Sequence, residues 1–462
     1  MGPKRKLLAV ILGLSLVAAS CGDDDEGSGG STSDTENEDA AAGGEFIDLG
    51  TFVGDPPEHI DPALNVTLDG FQATNALYDG LTEIDFTDPD NPELKGIVAE
   101  SWEGNDDATE FVFTIKDGLE FSNGDPVLPS TFKSSWERAS DPDFAGQYAY
   151  LMNFLEGGAE KLDGTAEEIS GVVADDDAMT LTTTLSAPYA NWPTVAGFQL
   201  FYPMPEESND DPAAYENGLM VGNGPYMLES PRTESEIVLV KNDSWSGDQN
   251  GDTWDDRLDK ITFLTQTDPD TAYNAFEAGE GDNSTIPPGR WGAAKEDHAN
   301  TIRPALGTRY FEVKWTDPVV GGPENVKLRE AISLAINRQE ISDAIYDGTN
   351  PVATSIIPPG IPGSSEGICE FCKYDVEGAK AAFEEWKSAG HSLDAPIKIQ
   401  LNSGAGHEPV VQVVIDNLSE VGIQAVADPY ETETYFSQLP DLCIVCRSGW
   451  YADYPTADNF TY

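Results

Sequence analysis

A strand, a helix and a second strand follow one another near the carboxyl end, and this order constrains the fold more than any other feature. Ile397, Ile399 and Leu401 alternate with polar residues, as one face of a half-buried strand does. Residues 410–418 are predicted to form a helix, and residues 423–426 a further strand. Two strands joined through a helix lie parallel in one sheet. The sequence therefore predicts an α/β fold with a parallel sheet in its carboxyl-terminal part.

A short apolar run at residues 442–445 predicts a buried strand that leads into a cluster of charged and aromatic residues. Such a cluster can hold a zwitterion, because Asp453 can pair with an ammonium, Arg447 with a carboxylate, and Trp450 can form an apolar wall. The same spacing also suits an aromatic strand end followed by an aspartate in a turn. The residues alone leave both interpretations open.

Residues 1–20 have the pattern of an export signal. Three cations at residues 4–6 precede an apolar stretch at residues 7–19, which is too short for a finished transmembrane helix. The sequence Ala-Ala-Ser-Cys at residues 18–21 resembles a bacterial lipobox, in which the cysteine becomes the lipidated amino terminus. We therefore expect a lipid on Cys21. The alternative is plain secretion after an Ala-x-Ser cleavage site.

Acidic residues dominate the composition. The 462-residue chain has 83 Asp and Glu against 25 Lys and Arg, a formal net charge of −58. This balance excludes nucleic acid as a partner, since phosphate binding needs clustered cations, and it disfavours electrostatic docking on anionic lipid. Residues 21–45 are predicted to form a flexible tether, because residues 22–45 are small, polar and acidic and contain no aromatic residue. The folded part is expected to begin near Phe46.

Four cysteines besides Cys21 occur as two Cys-x-x-Cys pairs, Cys369 with Cys372 and Cys443 with Cys446. In a cytosolic protein this spacing would indicate zinc, but export favours two disulfides. The pairing stays open. Cys443 and Cys446 are expected to be poor partners for each other, because residues three apart in a strand point to opposite faces.

Catalytic and metal-binding motifs in the sequence are incomplete. His407-Glu408 lacks the second histidine of a zinc protease, and no Gly-x-Ser-x-Gly elbow occurs. The segment from residue 248 to Asp259 has the alternating oxygens of a calcium loop, but Thr253 stands where glycine is required and Asp259 where glutamate is required. We therefore expect a protein without catalytic residues, cofactor or metal.

The stretch Arg-Ser-Gly-Trp-Tyr-Ala-Asp-Tyr-Pro at residues 447–455 resembles the ligand-cleft motif of the family 5 extracellular solute-binding proteins. These proteins are the oligopeptide- and dipeptide-binding components of ATP-driven importers. Further stretches resemble the same family in the same order: residues 60–62, Trp102 with the strand at 110–116 and the Gly-Asp-Pro turn at 124–126, the Gly-x-Gly-Pro-Tyr turn at 222–226, and a helix pair from Asn325 onward. Asn325 is predicted to cap the first helix of this pair, whose apolar residues Leu328, Ala331, Ile332 and Ala335 share one face, and Asn337 is predicted to cap the second.

The resemblance implies a two-lobed α/β fold of the periplasmic-binding-protein kind with an extra small α+β domain. The first lobe is expected to consist of residues 46–75 and 201–307, the accessory domain of residues 76–200, and the second lobe of residues 308–462. Because the family's chain normally runs further and returns to the first lobe, the resemblance also implies that the carboxyl-terminal end is truncated here.

The resemblance further implies where a ligand binds. It places Asp453 against the amino terminus of a bound peptide. The expected ligand-binding residues are Arg447, Gly449, Trp450 and Asp453 in the motif, with Tyr148 and Val66 elsewhere in the chain. Some peptide binders of the family carry an acidic residue at the position that Val66 occupies. For Tyr148 the alternative is a buried core tyrosine.

Taken with the export signal, the resemblance predicts a monomeric, lipid-anchored binding protein on the outer face of the bacterial cytoplasmic membrane. It would capture peptides and present them to the membrane permease of an importer. One alternative is another solute of the same family, such as a sugar, an opine or a nickel chelate. Two others are an exported hydrolase and a purely structural cell-surface protein.

Overall fold

The computed structural model describes residues 43–54, 56–85, 93–209, 211–246, 257–298 and 305–461. The chain divides into two compact units. The amino-terminal unit comprises the described residues up to Asp48 together with Pro57–Leu264, and the carboxyl-terminal unit comprises Leu49–Pro56 and the described residues from Thr265 onward. The predicted division into two lobes and an accessory domain stays a prediction. The predicted signal peptide, Cys21, most of the tether and residues 248–256 of the calcium-like segment lie outside the described residues.

The amino-terminal unit is built on two four-stranded sheets and a strand pair. Its strands are β1 (Glu45–Asp48), β2 (Thr82–Asp85), β3 (Glu93–Gly96), β4 (Ala99–Gly104), β5 (Glu110–Ile115), β6 (Val172–Asp175), β7 (Thr180–Thr184), β8 (Tyr226–Leu228), β9 (Glu236–Lys241) and β10 (Lys260–Leu264). Its helices are α1 (Leu68–Leu77), α2 (Pro129–Ala139), α3 (Gly158–Leu162), α4 (Trp192–Val195) and α5 (Pro212–Glu216). One sheet has the order β1-β10-β9-β8, the other is the antiparallel β4-β5-β7-β6, and β2 pairs with β3. The predicted half-buried strand at 110–116 is confirmed as β5, which is buried at every second residue.

An aromatic cluster forms part of the core of this unit. Trp136 of α2 meets Trp192 and Phe201 edge-on, with ring centroids 6.3 and 5.2 Å apart. Its indole Nε1 donates a hydrogen bond of 2.9 Å to the carbonyl oxygen of Phe201. Each such ring buries a large apolar area, and the edge-on geometry adds a favourable electrostatic contact. The cluster holds α2 against the chain that follows β7.

The Gly-x-Gly-Pro-Tyr turn joins the end of α1 to the start of β8. The backbone N–H of Gly224 donates a hydrogen bond of 2.9 Å to the carbonyl oxygen of Leu77. A Cβ atom at Gly222 would overlap that same oxygen, and one at Gly224 would lie 2.6 Å from the backbone nitrogen of Tyr78. Glycine is required at both positions because the two backbones touch.

A buried ion pair fixes the Ile60-Asp61-Pro62 stretch. Asp61 is fully buried and Arg138 of α2 is 7% exposed. Two nitrogens of the Arg138 guanidinium donate to the two carboxylate oxygens of Asp61, at 3.1 and 2.6 Å. Arg138 Nε also donates to the carbonyl of Ser208 at 3.2 Å, and the backbone N–H of Ala63 donates to Asp61 at 2.9 Å. The two side chains thus form a bidentate ion pair, in which two guanidinium nitrogens bind the two carboxylate oxygens.

Beside this pair, Glu216 of α5 anchors the same stretch. Its carboxylate accepts hydrogen bonds from His59 Nδ1 at 2.8 Å and from the backbone N–H of Ile60 at 2.6 Å. The bond to Glu216 raises the pKa of His59 above its usual 6.5. Burial acts to raise the pKa of Glu216, but the hydrogen bond and charge of His59 outweigh it, so this pKa lies below 4.5. Protonated His59 therefore stabilises the fold below about pH 6.5, and this stability is lost as the pH rises through the raised pKa.

We expect His59→Gln to lower the free energy of unfolding by roughly 1 kcal/mol near pH 5.5, where the wild-type imidazole is charged. Near pH 8.5 the difference should be smaller, because the charge on wild-type His59 is lost as the pH rises through its raised pKa. Urea unfolding curves at both pH values measure this. His298→Gln, which removes another histidine–glutamate contact in the other unit, is the matched control. An equal effect of His59→Gln at both pH values would contradict the charged pair.

The carboxyl-terminal unit contains a mixed sheet. Its elements are α6 (Pro269–Glu277), α7 (Trp291–Asp297), β11 (Gly307–Val313), α8 (Val326–Ala335), α9 (Arg338–Tyr346), α10 (Val376–Ser388), β12 (Ile397–Asn402), α11 (Glu408–Glu420), β13 (Ala425–Tyr430), α12 (Thr432–Leu442) and β14 (Val445–Tyr451). The sheet order is β11-β14-β12-β13, with β12 parallel to β13 and β14, and β11 antiparallel to β14. The predicted strand–helix–strand unit with parallel strands is confirmed. Its core lies where α8, α10 and α11 cover one face of the sheet.

The predicted strand at residues 442–445 is wrong. Leu442 ends α12, and Cys443 follows in an extended conformation before β14 begins at Val445. The apolar run is thus divided between a helix end and a strand start, and a run this short fits either structure. The strand that delivers the motif runs instead from Val445 to Tyr451.

Both Cys-x-x-Cys pairs form disulfides within themselves. Cys369 is bonded to Cys372 and Cys443 to Cys446, with Cα–Cα distances of 5.3 and 5.4 Å. The expectation that Cys443 and Cys446 are poor partners is wrong, because Cys443 precedes the strand. The turn between α12 and β14 brings the two Cα atoms into the range that a disulfide spans.

Candidate ligand-binding site

The candidate site is organised by β14, which lies between β11 and β12 in the sheet. Side chains alternate between the two faces of a strand, so Val445, Arg447, Gly449 and Tyr451 share one face. Val445 is buried in the core at one end of this face. Further along, the face changes from apolar to charged and aromatic. Arg447 lies two residues beyond the buried Val445, where its side chain reaches the polar side chain of Asn402 on β12.

Arg447 is partly buried and has neutral partners. Its Nη1 donates a 3.4 Å hydrogen bond to Asn402 Oδ1, and its carbonyl oxygen accepts a 2.5 Å bond from the hydroxyl of Tyr435. Burial lowers the pKa of Arg447, and the neighbouring charge of Arg309 lowers it further. Among the described residues, no carboxylate lies within 4.0 Å of this guanidinium. Arg447 therefore presents a desolvated positive charge that a ligand carboxylate can neutralise.

Trp450 and Asp453 are held together by one residue, Asn459. The Oδ1 atom of Asn459 accepts hydrogen bonds from Trp450 Nε1 and from the backbone N–H of Asp453, both at 3.0 Å. Its Nδ2 donates to Asp453 Oδ2, also at 3.0 Å. Asn459 is 7% exposed and lies in a 3₁₀ turn at Ala457–Phe460. It fixes the orientation of both side chains, a role that the sequence motif did not indicate.

Gly449 lies opposite Arg309 of β11 in the strand register. A Cβ atom at this position would be 3.6 Å from Arg309 Cγ, an ordinary van der Waals contact. A larger side chain would compete with Arg309 for the same space. The predicted role of Gly449 at a ligand stays a prediction, and its observed neighbour is an arginine.

Tyr148 and Val66 belong to the amino-terminal unit. Tyr148 is 7% exposed and packs edge-on against Phe198 and Phe71, with centroids 4.9 and 6.4 Å away. This is the environment of a core tyrosine. Val66 is partly buried in the loop before α1. A contact of either residue with a ligand stays a prediction.

Sequence reasoning missed several residues around Arg447. Arg309 lies on β11, and its Nη1 donates a 2.7 Å hydrogen bond to the hydroxyl of Tyr346 at the end of α9. His407 precedes α11, and burial lowers its pKa to about 3, with the charges of Arg447 and Arg309 acting in the same direction. At neutral pH its imidazole is therefore uncharged. These residues come from separate elements, so no local pattern joins them.

Comparison with known proteins assigns the chain to a family. The family model described as bacterial extracellular solute-binding proteins, family 5 Middle, matches residues 93–462, more than half of the chain. The chain belongs to this family. Family 5 consists of solute-binding proteins rather than enzymes, so the hydrolase alternative is set aside. No helix in the described parts of this family 5 protein is long and apolar enough to cross a membrane.

Relatives of this family 5 protein include peptide-binding proteins. The oligopeptide-binding protein OppA of Bacillus subtilis is 26% identical over an alignment covering 100% of this chain and 84% of that protein. The murein peptide-binding protein MppA of Escherichia coli is 24% identical, with 88% and 76% covered. The solved structure of Burkholderia pseudomallei OppA superposes with a TM-score of 0.79 at 23% identity, covering 91% and 82%. The predicted two-lobed α/β fold is confirmed by this likeness.

Proposed function

We propose that this protein captures peptides and delivers them to the permease of an ATP-driven importer. Asp453 would pair with the ligand's ammonium and Arg447 with a carboxylate. The indole of Trp450, whose side chain leaves the opposite face of β14 from Arg447, would form an apolar wall beside Asp453. The observation that carries the proposal is the fixing of Trp450 and Asp453 by Asn459 at the end of the strand that bears Arg447. The peptide-binding names of the relatives support the same ligand class.

Loss of water around the Arg447 guanidinium favours binding of a negatively charged ligand group. A guanidinium that is partly buried without a carboxylate has lost water and gained only neutral hydrogen bonds. A ligand carboxylate restores a charge-assisted contact, which is about twice as strong as a neutral one. A ligand ammonium that approaches Asp453 gains a charge-assisted contact of the same kind. Both ends of a zwitterionic peptide thus find a partner of opposite charge, whereas an uncharged sugar finds none.

The proposal is tested by identifying what the protein binds. Mass spectrometry of material released by denaturing the purified protein identifies the natural ligand. Calorimetry with peptides of three to six residues then compares free termini with an acetylated amino terminus and an amidated carboxyl terminus. We expect free peptides to bind with a Kd of roughly 1 µM or lower and each blocked end to weaken binding at least tenfold. A released sugar or chelate, with peptides failing to bind, would refute the proposal.

We further propose that the mature protein is a monomer anchored to the outer face of the membrane by lipid on Cys21. The support is the Ala-Ala-Ser-Cys sequence at the end of the apolar segment. Cys21→Ser is expected to move the protein from the detergent phase to the aqueous phase in a partitioning assay and to release it from cells. Ser20→Ala, which keeps a small residue before the cysteine, is the matched control and should stay anchored. Wild type and Cys21→Ser partitioning alike would mean plain secretion.

A further inference from the structure

A second arginine lies beside Arg447 on the same face of the sheet. Arg309 of β11 is opposite Gly449 in the antiparallel register, and Phe311 is opposite Arg447. Arg309 and Arg447 are therefore diagonal neighbours across two paired strands. Residues in this relation lie about 7–8 Å apart, and somewhat less at their Cβ atoms, so long side chains can reach one another. Two guanidinium groups can thus face one small ligand group.

Both arginines have neutral partners. Arg309 donates to the Tyr346 hydroxyl at 2.7 Å and lies over the Tyr346 ring at 5.4 Å from its centroid. Arg447 donates to the amide oxygen of Asn402. Within the part of the chain that the structure describes, neither guanidinium has a carboxylate within 4.0 Å, although the protein has 83 acidic residues. Two neighbouring positive charges without an anion are unfavourable in a partly desolvated site.

The start of α11 lies near the pair and carries one acidic residue, Glu408. His407 precedes α11 and is an uncharged imidazole at neutral pH. The acidic residue that follows it, Glu408, accepts a 3.0 Å hydrogen bond from the backbone N–H of Gly404. The amino terminus of the 13-residue helix α11 carries the positive end of its dipole. The charges of both arginines act on His407, so the start of this helix lies near the pair.

We propose that Arg309 and Arg447 together form a subsite for two carboxylates at one end of the ligand. This inference rests on the proposed function, in which Arg447 binds the terminal carboxylate. Arg309 then receives the carboxylate of an acidic side chain on the last residue. The preferred substrates are accordingly peptides that end in glutamate or aspartate. Arg309 is a specificity-determining residue, and Tyr346 positions it.

The test compares two tripeptides of nearly equal shape, Ala-Ala-Glu and Ala-Ala-Gln, by calorimetry on the full-length protein. We expect wild type to bind the glutamate peptide at least tenfold more tightly, as one charge-assisted contact implies. Arg309→Gln should remove this preference by weakening binding of the glutamate peptide, with the glutamine peptide changed less than about twofold. Lys380→Gln removes a charge from an exposed ion pair on α10 and should keep the preference. Thermal unfolding verifies that each variant is folded.

Each remaining outcome overturns a defined part of the inference. Equal binding of the two peptides by wild type refutes the acidic preference but leaves peptide binding intact. A preference that survives in Arg309→Gln refutes the role of Arg309. Glutarate supplies two carboxylates without a peptide. If it binds as tightly as Ala-Ala-Glu, the ligand class is free dicarboxylates. If no peptide of any length binds, the proposed function fails and this inference fails with it.

Discussion

Asp453→Asn is expected to weaken peptide binding by several hundred-fold or more while leaving folding almost unchanged. A peptide ammonium that loses water on binding needs a negative partner, and removing one member of a buried ion pair costs roughly 3–5 kcal/mol. At about 1.4 kcal/mol per decade, this corresponds to two to three and a half powers of ten in Kd. The asparagine amide keeps an oxygen that can accept from Asn459 Nδ2, as Asp453 does now. Calorimetry with wild type and variant measures the change.

A ligand with a blocked amino terminus completes the comparison. If Asp453 pairs with the ammonium, acetylation should weaken binding to wild type by a similar factor and should cost Asp453→Asn little more. The two changes are then non-additive, as expected for two halves of one contact. Equal affinity of wild type and Asp453→Asn for the free peptide would mean that Asp453 only shapes the turn.

Arg138→Met is expected to lower the free energy of unfolding by roughly 3–5 kcal/mol, because it leaves the Asp61 carboxylate buried without its partner. Asp61 is fully buried and receives two hydrogen bonds from Arg138, so water cannot replace them without opening the structure. Urea unfolding measures the loss of free energy of unfolding. Amide hydrogen exchange in α2 shows whether the loss occurs in the unit that contains the pair.

The same helix offers a matched control. Lys133 of α2 forms an ion pair with the exposed Glu168 at 2.7 Å. Lys133→Met removes the same charge from the same helix. It leaves Glu168 in water and Glu137, which is 3.7 Å from Lys133, only partly buried, so its effect should be smaller. Equal effects of the two substitutions would show that the buried pair adds nothing beyond a surface contact.

Local patterns predicted the elements of the carboxyl-terminal unit well. The periodicity of Leu328, Ala331 and Ile332 located the buried face of α8, and the sequence of strand, helix and strand located the parallel sheet. Asn337 caps α9 as predicted, with its side chain accepting from the backbone N–H of Glu340 at 3.2 Å. These signals depend on neighbours within a few residues, which a sequence displays directly.

Asn325 shows where local reasoning ends. It stands at the start of α8 as predicted, but its side chain makes no cap. It accepts a 2.8 Å hydrogen bond from Trp386 Nε1 and donates to the carbonyl oxygens of Pro318 and Gly321. Trp386, 61 residues away in sequence, and the loop before the helix took the place of the helix's own N–H groups as partners. The closeness of Arg309 to Arg447 is the same case, because only the strand register makes them diagonal neighbours.

The pairing of β14 with β11 along all seven residues from Val445 to Tyr451 gives the site a fixed length scale. At about 3.3 Å per residue, the Cα atoms of Arg447 and Tyr451 are roughly 13 Å apart, and a strand paired in this way cannot stretch. Asp453 follows two residues later and is tied by Asn459. The distance between Arg447 and Asp453, the proposed partners of the two ligand ends, is thus nearly fixed. Each added peptide residue extends a ligand by at most about 3.6 Å, so affinity should change in steps with chain length, and longer ligands must bend to keep both ends in place.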